Sequence, residues 1–269
     1  MGQSGKYFNA SSSAKGITLT GKRGEPVKPI IPAAKQHDAV FADASILFDW
    51  TEFQVPKGSN RLLSVIAIVR GTDGVAQGAL PFDLIFGRSI DGVAPSSLGT
   101  VGAAVTEFNW ANNIIGLTQI VANDYTDADM VVLRIAKTSI LQTEMVLTGE
   151  PISGVNVGYD TLYVAAIAKA QFDFRGTAEV KTSRDAAAIA DGTTKQLEVT
   201  AKSAIVNFAV GDTLHSQVGK VLGKVKSIEG TDDLTFLKET VGTGISDIHV
   251  DGEFVYNINP IALIFGFEA

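Results

Sequence analysis

Residues 62–69 read Leu62-Leu63-Ser64-Val65-Ile66-Ala67-Ile68-Val69 and stop at Arg70-Gly71-Thr72-Asp73-Gly74. β-Branched side chains of this kind pack well on a pleated surface and lose rotamer freedom in a helix. The run is shorter than a usual helix and less than half the ~20 apolar residues that cross a bilayer. Glycine and aspartate then supply a turn. The same signature recurs in both directions. Upstream, Phe48-Asp49-Trp50 and Phe53-Gln54-Val55 alternate apolar with polar and end at Pro56-Lys57-Gly58-Ser59-Asn60. Downstream come Phe82-Asp83-Leu84-Ile85-Phe86, a Gly/Pro/Ser stretch over residues 91–102, and further runs at 116–121, 130–136, 144–147 and 161–168. No window longer than ten residues keeps a 3.6-residue period with caps. Evenly spaced strands and turns predict an all-β sandwich or barrel.

Beyond residue 175 a second set of short runs begins. Residues 197–200, 205–208, 221–225, 234–237 and 254–256 are separated by Gly211-Asp212, Gly230-Thr231-Asp232-Asp233 and Asp251-Gly252. This spacing predicts a small β-barrel over 176–259, with one helical turn at residues 186–190. An apolar closing strand, Ile261 to Glu268, follows Pro260. The first 40 residues differ in kind: serines and glycines precede Pro26, Pro29 and Pro32, which favour extended polyproline-like backbone. Such a stretch buries too little apolar surface to offset its ordering entropy, so it is expected to be an arm held by another chain, the alternative being a leader packed on its own domain.

Charge follows the same division. The 269-residue chain has a formal net charge of -7, which argues against a nucleic-acid coat, since neutralising phosphates takes an excess of Lys and Arg. Residues 1–40 alone carry +4, from Lys6, Lys15, Lys22, Arg23, Lys28 and Lys35 against Glu25 and Asp38, while 41–175 carry -6 and 176–269 carry -5. The six cations are the candidate partner-binding residues. With no cysteine, disulfide staples and thiolate-ligated metals are excluded. The N-terminus has no apolar signal core, so no export route and no membrane association are expected.

Templates for chemistry find little to match. Gly219-Lys220-Val221-Leu222-Gly223-Lys224 has three residues between its glycines where a phosphate loop needs four, and Val225 where Ser or Thr would hold magnesium. Asp124, Asp127 and Asp129 offer oxygens to calcium but lack the order, Gly and closing Glu of an EF-hand; a loop with Asx turns accounts for them. Asp232-Asp233 is a hairpin turn by the same reasoning. His37, His215 and His249 have no nucleophile elbow and no metal spacing around them. Trp50, Phe53, Phe108, Trp110 and Tyr125 could line a sugar-binding face, although alternation within strands makes them core or interface residues. No catalytic residue, metal site or cofactor is expected, and the protein is read as a non-enzyme.

The order of segments carries a resemblance. Phe48 to Val55 closed by Pro56, residues 62–69, Phe82-Asp83-Leu84-Ile85-Phe86, Asp124-Tyr125 and above all Thr161-Leu162-Tyr163-Val164-Ala165-Ala166-Ile167-Ala168 resemble the auxiliary virion structural proteins of tailed bacteriophages. The second set, with Val210-Gly211-Asp212-Thr213-Leu214 and Gly252-Glu253-Phe254-Val255-Tyr256, is similar to a small β-barrel common in phage structural proteins. The likeness covers residues 41–269 and rests on hydrophobic and turn motifs, so no functional residue carries over. It implies a jelly-roll-like sandwich over 41–175 plus 260–269, a barrel inserted at 176–259, and pairing of residues 162–168 with 261–267 in one sheet. It also implies a capsid decoration or cement protein, assembled in the host cytoplasm into the virion, contacting capsid subunits through its arm and oligomerising with itself, as a trimer by analogy. A tail, collar or head-fibre component binding host glycans through Trp50 and Trp110 is the alternative. A hydrolase would need two carboxylates about 5–9.5 Å apart in a cleft.

Overall fold

The computed structural model describes residues 17–19, 26–38, 40–56, 58–70, 78–106, 108–126, 133–139, 145–148, 150–151, 159–174, 180–183, 194–199, 207–216, 221–230, 233–238 and 254–268. Along the chain run β1 (Ile17–Leu19), α1 (Ala33–Asp38), β2 (Ile46–Pro56), β3 (Ser59–Arg70), β4 (Phe82–Gly87), β5 (Ile114–Ile120), β6 (Tyr125–Thr126), β7 (Leu133–Ser139), β8 (Met145–Thr148), β9 (Glu150–Pro151) and β10 (Tyr159–Ala168). Then follow β11 (Val180–Ser183), β12 (Thr194–Val199), β13 (Thr213–Ser216), β14 (Val221–Glu229), β15 (Asp233–Lys238), β16 (Val255–Asn257) and β17 (Ile261–Glu268). The protein is all-β, and its strands pair antiparallel in three sheets.

Sheet one runs β1-β17-β3-β7-β6, with β8 also on β3; sheet two runs β2-β10-β4-β5, with β9 also on β10. Both feed one core, in which Leu62, Val65, Ala67 and Val69 of β3 meet Phe53, Val55, Leu162, Val164, Phe82 and Phe86 from the other sheet. Period-two alternation explains most of this, with one interruption. Leu62 and Val65 both face inward because the β17–β3 register shifts between Gly266 and Phe267, a bulge that turns the strand face over.

The C-terminal strand departs from the expected pairing. β17 pairs with β3 and β1, whereas β10 pairs with β2, β4 and β9, so the 162–168 and 261–267 runs lie in opposite sheets and do not pair. Each is the inner strand of its own sheet. Stacked face to face, Leu162, Val164, Ala166 and Ala168 share a core with Ile261, Leu263, Phe265 and Phe267. Two strongly apolar strands bury more surface opposed across a core than placed side by side.

Sheet three, in the order β11-β12-β15-β14-β13-β16, has its own smaller core of Val199, Phe208, Leu214, Leu222, Val225 and Val255. Its end strands β11 and β16 are unpaired with each other among the described residues. The helical turn expected at 186–190 lies outside the described residues.

The arm needs correction wherever it is described. β1 pairs with β17, Val27 bridges Leu263, and the Ile31 amide donates to the Ile258 carbonyl, so residues 17–19 and 27–31 lie along the edge of β17 in the chain's own sheet. Val27 and Ile31 are buried in the main core. The physical reason is a strand edge: unpaired N–H and C=O groups along β17 offer the proline-spaced segment hydrogen bonds that it cannot make alone. Among the described residues α1, which follows, is the one α-helix of more than a turn and was not expected; Gln36 fixes it by donating to the carbonyls of Ile31 and Asn257, 2.8 and 2.9 Å away.

Tyr125 sits under the end of sheet one and donates to the Leu80 carbonyl at 2.7 Å. Burial first, and the neighbouring Asp124 charge second, push its phenol well above the usual range. The folded state therefore favours the neutral form. That contribution is complete below the unfolded value near 10 and lost as pH rises past it. Urea unfolding at about pH 9 and 11 should show stability falling, by up to ~1.4 kcal/mol per pH unit from this one group, with a smaller fall in Tyr125→Phe.

Candidate functional site

The outward face of sheet two is not left bare. Residues 88–106 and 108–113 fold across it, and Ile46, Ile85, Leu98, Trp110 and Ala165 form a second buried cluster there, with Trp50 and Ile167 against its margin. Asp49 fastens the loop: its carboxylate accepts the Leu98 amide at 3.1 Å, the Trp50 amide at 2.8 Å and the Ser97 hydroxyl. Trp50 donates its indole N–H to the Ser96 carbonyl at 2.9 Å, and its ring lies so close over Gly87 that a Cβ there would meet it at 3.0 Å. Gly99, at φ +130, has the backbone that L residues rarely adopt, and a Cβ would meet the Thr106 hydroxyl at 2.9 Å. Gly99→Ala should therefore loosen this loop, lowering stability by about 1–3 kcal/mol in chemical unfolding.

Two surfaces emerge from this arrangement. One is a shallow open trough of about 430 Å³ between residues 28–32 and β2, lined by Lys28, Ile30, Asp49, Trp50 and Glu52 among others. The second is the outer side of β5. This strand ends sheet two, and among the described residues no strand is hydrogen-bonded to its outer edge, although β8 and β7 of sheet one lie close to it. Leu117 stands opposite Ile85 on the outward face and is 60% exposed, Ile114 is exposed beside it, and Phe108, 67% exposed, packs on Trp110 at a ring separation of 6.3 Å. The strand itself, Ile114-Ile115-Gly116-Leu117-Thr118-Gln119-Ile120, carries no charge and no proline.

A polar joint ties the sheets together. Asp212, buried at the start of β13, accepts from Lys28 at 2.8 Å, Arg70 at 3.2 Å, Asn257 at 2.7 Å and the Ala209 amide at 2.9 Å. Arg70 ends β3 of sheet one, Asn257 ends β16, and Lys28 belongs to the segment along β17. Burial pulls the Arg70 guanidinium below its usual value, and the Asp212 charge opposes that shift.

The residues singled out in the sequence are dispersed. Lys28 is committed to Asp212; Lys35 rests partly buried beside Gly102; Lys6, Lys15, Lys22 and Arg23 lie outside the described residues. Asp124 accepts the Val121 amide at 2.9 Å, while Asp127 and Asp129 lie outside the described residues. The glycine–lysine stretch continues into β14, so its described part is strand. His215 is buried on β13 opposite Tyr256, His37 falls within α1, and His249 lies outside the described residues. Among the described residues no three His, Cys, Asp or Glu side chains are grouped to hold a metal, and no helix is long and apolar enough to cross a membrane. The aromatic set divides: Phe53 is core, Trp110 is only 7% exposed, Tyr125 is anchored to Leu80, and Trp50 and Phe108 reach the surface. Comparison of the chain with family models, curated proteins and solved structures finds no match.

Proposed function

We propose that this chain is a non-enzymatic structural subunit of a tailed-phage virion, decorating or cementing the capsid, and that copies join to one another through the β5 edge. The observation that carries the reading is the uncharged strand Ile114–Ile120 with exposed Ile114 and Leu117 beside Phe108. An edge with no hydrogen-bonded partner among the described residues is a template for another strand, and proteins that stay apart blunt it with lysine or proline. A second copy is the fitting occupant. The chain carries -7 overall, so two copies meet least repulsion where neither presents charge, and an antiparallel edge is complementary to itself. The segment order resembling auxiliary virion proteins supports placing that assembly on a particle. We read the two-sheet body as a jelly-roll-like sandwich, and sheet three, whose end strands are unpaired with each other among the described residues, as an open form of the small barrel that the resemblance implies. Of the basic residues, Lys6, Lys15, Lys22 and Arg23 are the ones this reading leaves for the capsid. Light scattering on the full chain is expected to give an oligomer, and Leu117→Lys a smaller species that stays folded by circular dichroism. A monomeric wild type at tens of micromolar would refute the self-contact.

The trough beside Trp50 favours a second reading, a tail, collar or head-fibre component that binds host glycans. An aromatic ring flanked by Asp49, Glu52 and Lys28 suits a sugar. Loss of glycan-array signal in Trp50→Ala would support it; silence from the wild type on a broad array counts against it. Trp110 is too buried to serve as the platform.

A further inference from the structure

Two buried oxygens beneath the β2–β3 turn have no hydrogen-bond partner among the described residues. Asp160 Oδ1 and Asn60 Oδ1 are each shielded from solvent and accept no hydrogen bond, in residues 3% and 0% exposed. Strand parity aims both side chains into the space between the sheets. Asp160 lies opposite Val55 and alternates with Leu162, and Asn60 alternates with Leu62, all three of these apolar residues being core. Each is tied to Gly58: its amide donates to Asp160 Oδ2 at 3.0 Å, and its carbonyl accepts from Asn60 Nδ2 at 3.0 Å. Asn60 Nδ2 also donates to the Pro56 carbonyl at 2.7 Å. Two carbonyl acceptors fix the amide's orientation, so turning it over cannot relieve the orphaned oxygen.

Asp160 carries more than an unmade hydrogen bond. Among the described residues it forms no ion pair, and its carboxylate accepts from a single donor, the Gly58 amide. A water on Asp160 Oδ1 would satisfy the oxygen and leave the carboxylate without a counter-charge among the described residues. We propose that these oxygens hold a small monovalent cation, sodium in type, bound by Asp160 Oδ1 and Asn60 Oδ1 under the β2–β3 turn. Charge balance selects the valence. One carboxylate and neutral oxygens offset a single positive charge, whereas a calcium ion would leave a positive charge in the core. Magnesium, which dehydrates reluctantly and demands octahedral ligands, suits the site less still. The cation locks the β2–β3 turn to β10, joining the two sheets at one end of the core. This proposal stands apart from the virion reading and survives its failure.

Thermal unfolding of the full chain in sodium chloride and in choline chloride at equal ionic strength tests the site. The midpoint is expected to fall by roughly 5 °C in choline. Asp160→Asn, which removes the charge at constant shape, should lose that difference. Relaxation of the sodium nucleus read on the wild-type chain gives a measure that needs no variant: broadening by the protein, relieved by excess lithium or potassium, is expected. Equal midpoints in both salts with no broadening would overturn the proposal and leave a proton or a water on these oxygens. A response to calcium with none to sodium would overturn the charge-balance argument.

Discussion

Asp212→Ala should destabilise the chain by about 3–5 kcal/mol, read as a lower denaturant midpoint with an unchanged slope. The carboxylate is buried and answers four donors on three different parts of the fold. Removing it leaves the largely buried Arg70 guanidinium without a counter-charge and orphans the Asn257 and Ala209 N–H groups. Lys28, with 38% of its side chain exposed, recovers water and contributes least. Asp212→Asn keeps one acceptor and should lose less, which separates charge from hydrogen bonding. The loss should concentrate at the joint: sheet three, with its small core, is expected to become the first region cut by protease. A variant as stable as wild type would mean that the sheets hold together without the joint.

Most of the strands were legible because one physical signal writes them. Alternating or continuous apolar runs bounded by Gly, Asp and Pro mark residues 62–69, 82–86, 161–168 and 261–268, and each is a strand. Pairing was less legible. Residues 162–168 and 261–267 both read as the most buried strands, and apolar content alone does not distinguish two strands side by side from two stacked across a core. The polar determinants were harder still. Asp212 reads locally as a turn residue, and its partners Lys28, Arg70 and Asn257 come from distant parts of the chain. Asp160 did leave a trace: it has the same parity as Leu162 and Val164, so extending the 161–168 strand by one residue would have placed a carboxylate in the core. Asn60 was counted with the turn that it in fact anchors. Asp49 has no signal beyond its place between Phe48 and Trp50, because the loop it fastens is set by Ser97 and Leu98.

Deleting residues 1–32 should lower stability by more than about 5 kcal/mol, enough to leave many domains of this size unfolded. Composition made this segment look free, since serine, glycine and spaced proline build no core of their own. What it lacks is supplied by β17. Ile31 and Val27 fill the main core, three backbone bonds join it to residues 258–263, and Lys28 meets Asp212. Truncation therefore removes core side chains, exposes the edge of β17 and takes a cation from the joint. An assembly defect in such a truncation would report unfolding before it reported lost grip on a capsid. The cleaner test changes charge alone. Lys6, Lys15, Lys22 and Arg23 replaced together by glutamine, with Lys28 kept, should leave Val27, Ile31 and the joint in place. Particle occupancy that falls in that variant while the melting midpoint holds would assign those cations to a partner. Occupancy that holds would confine the leader's work to the chain's own sheet.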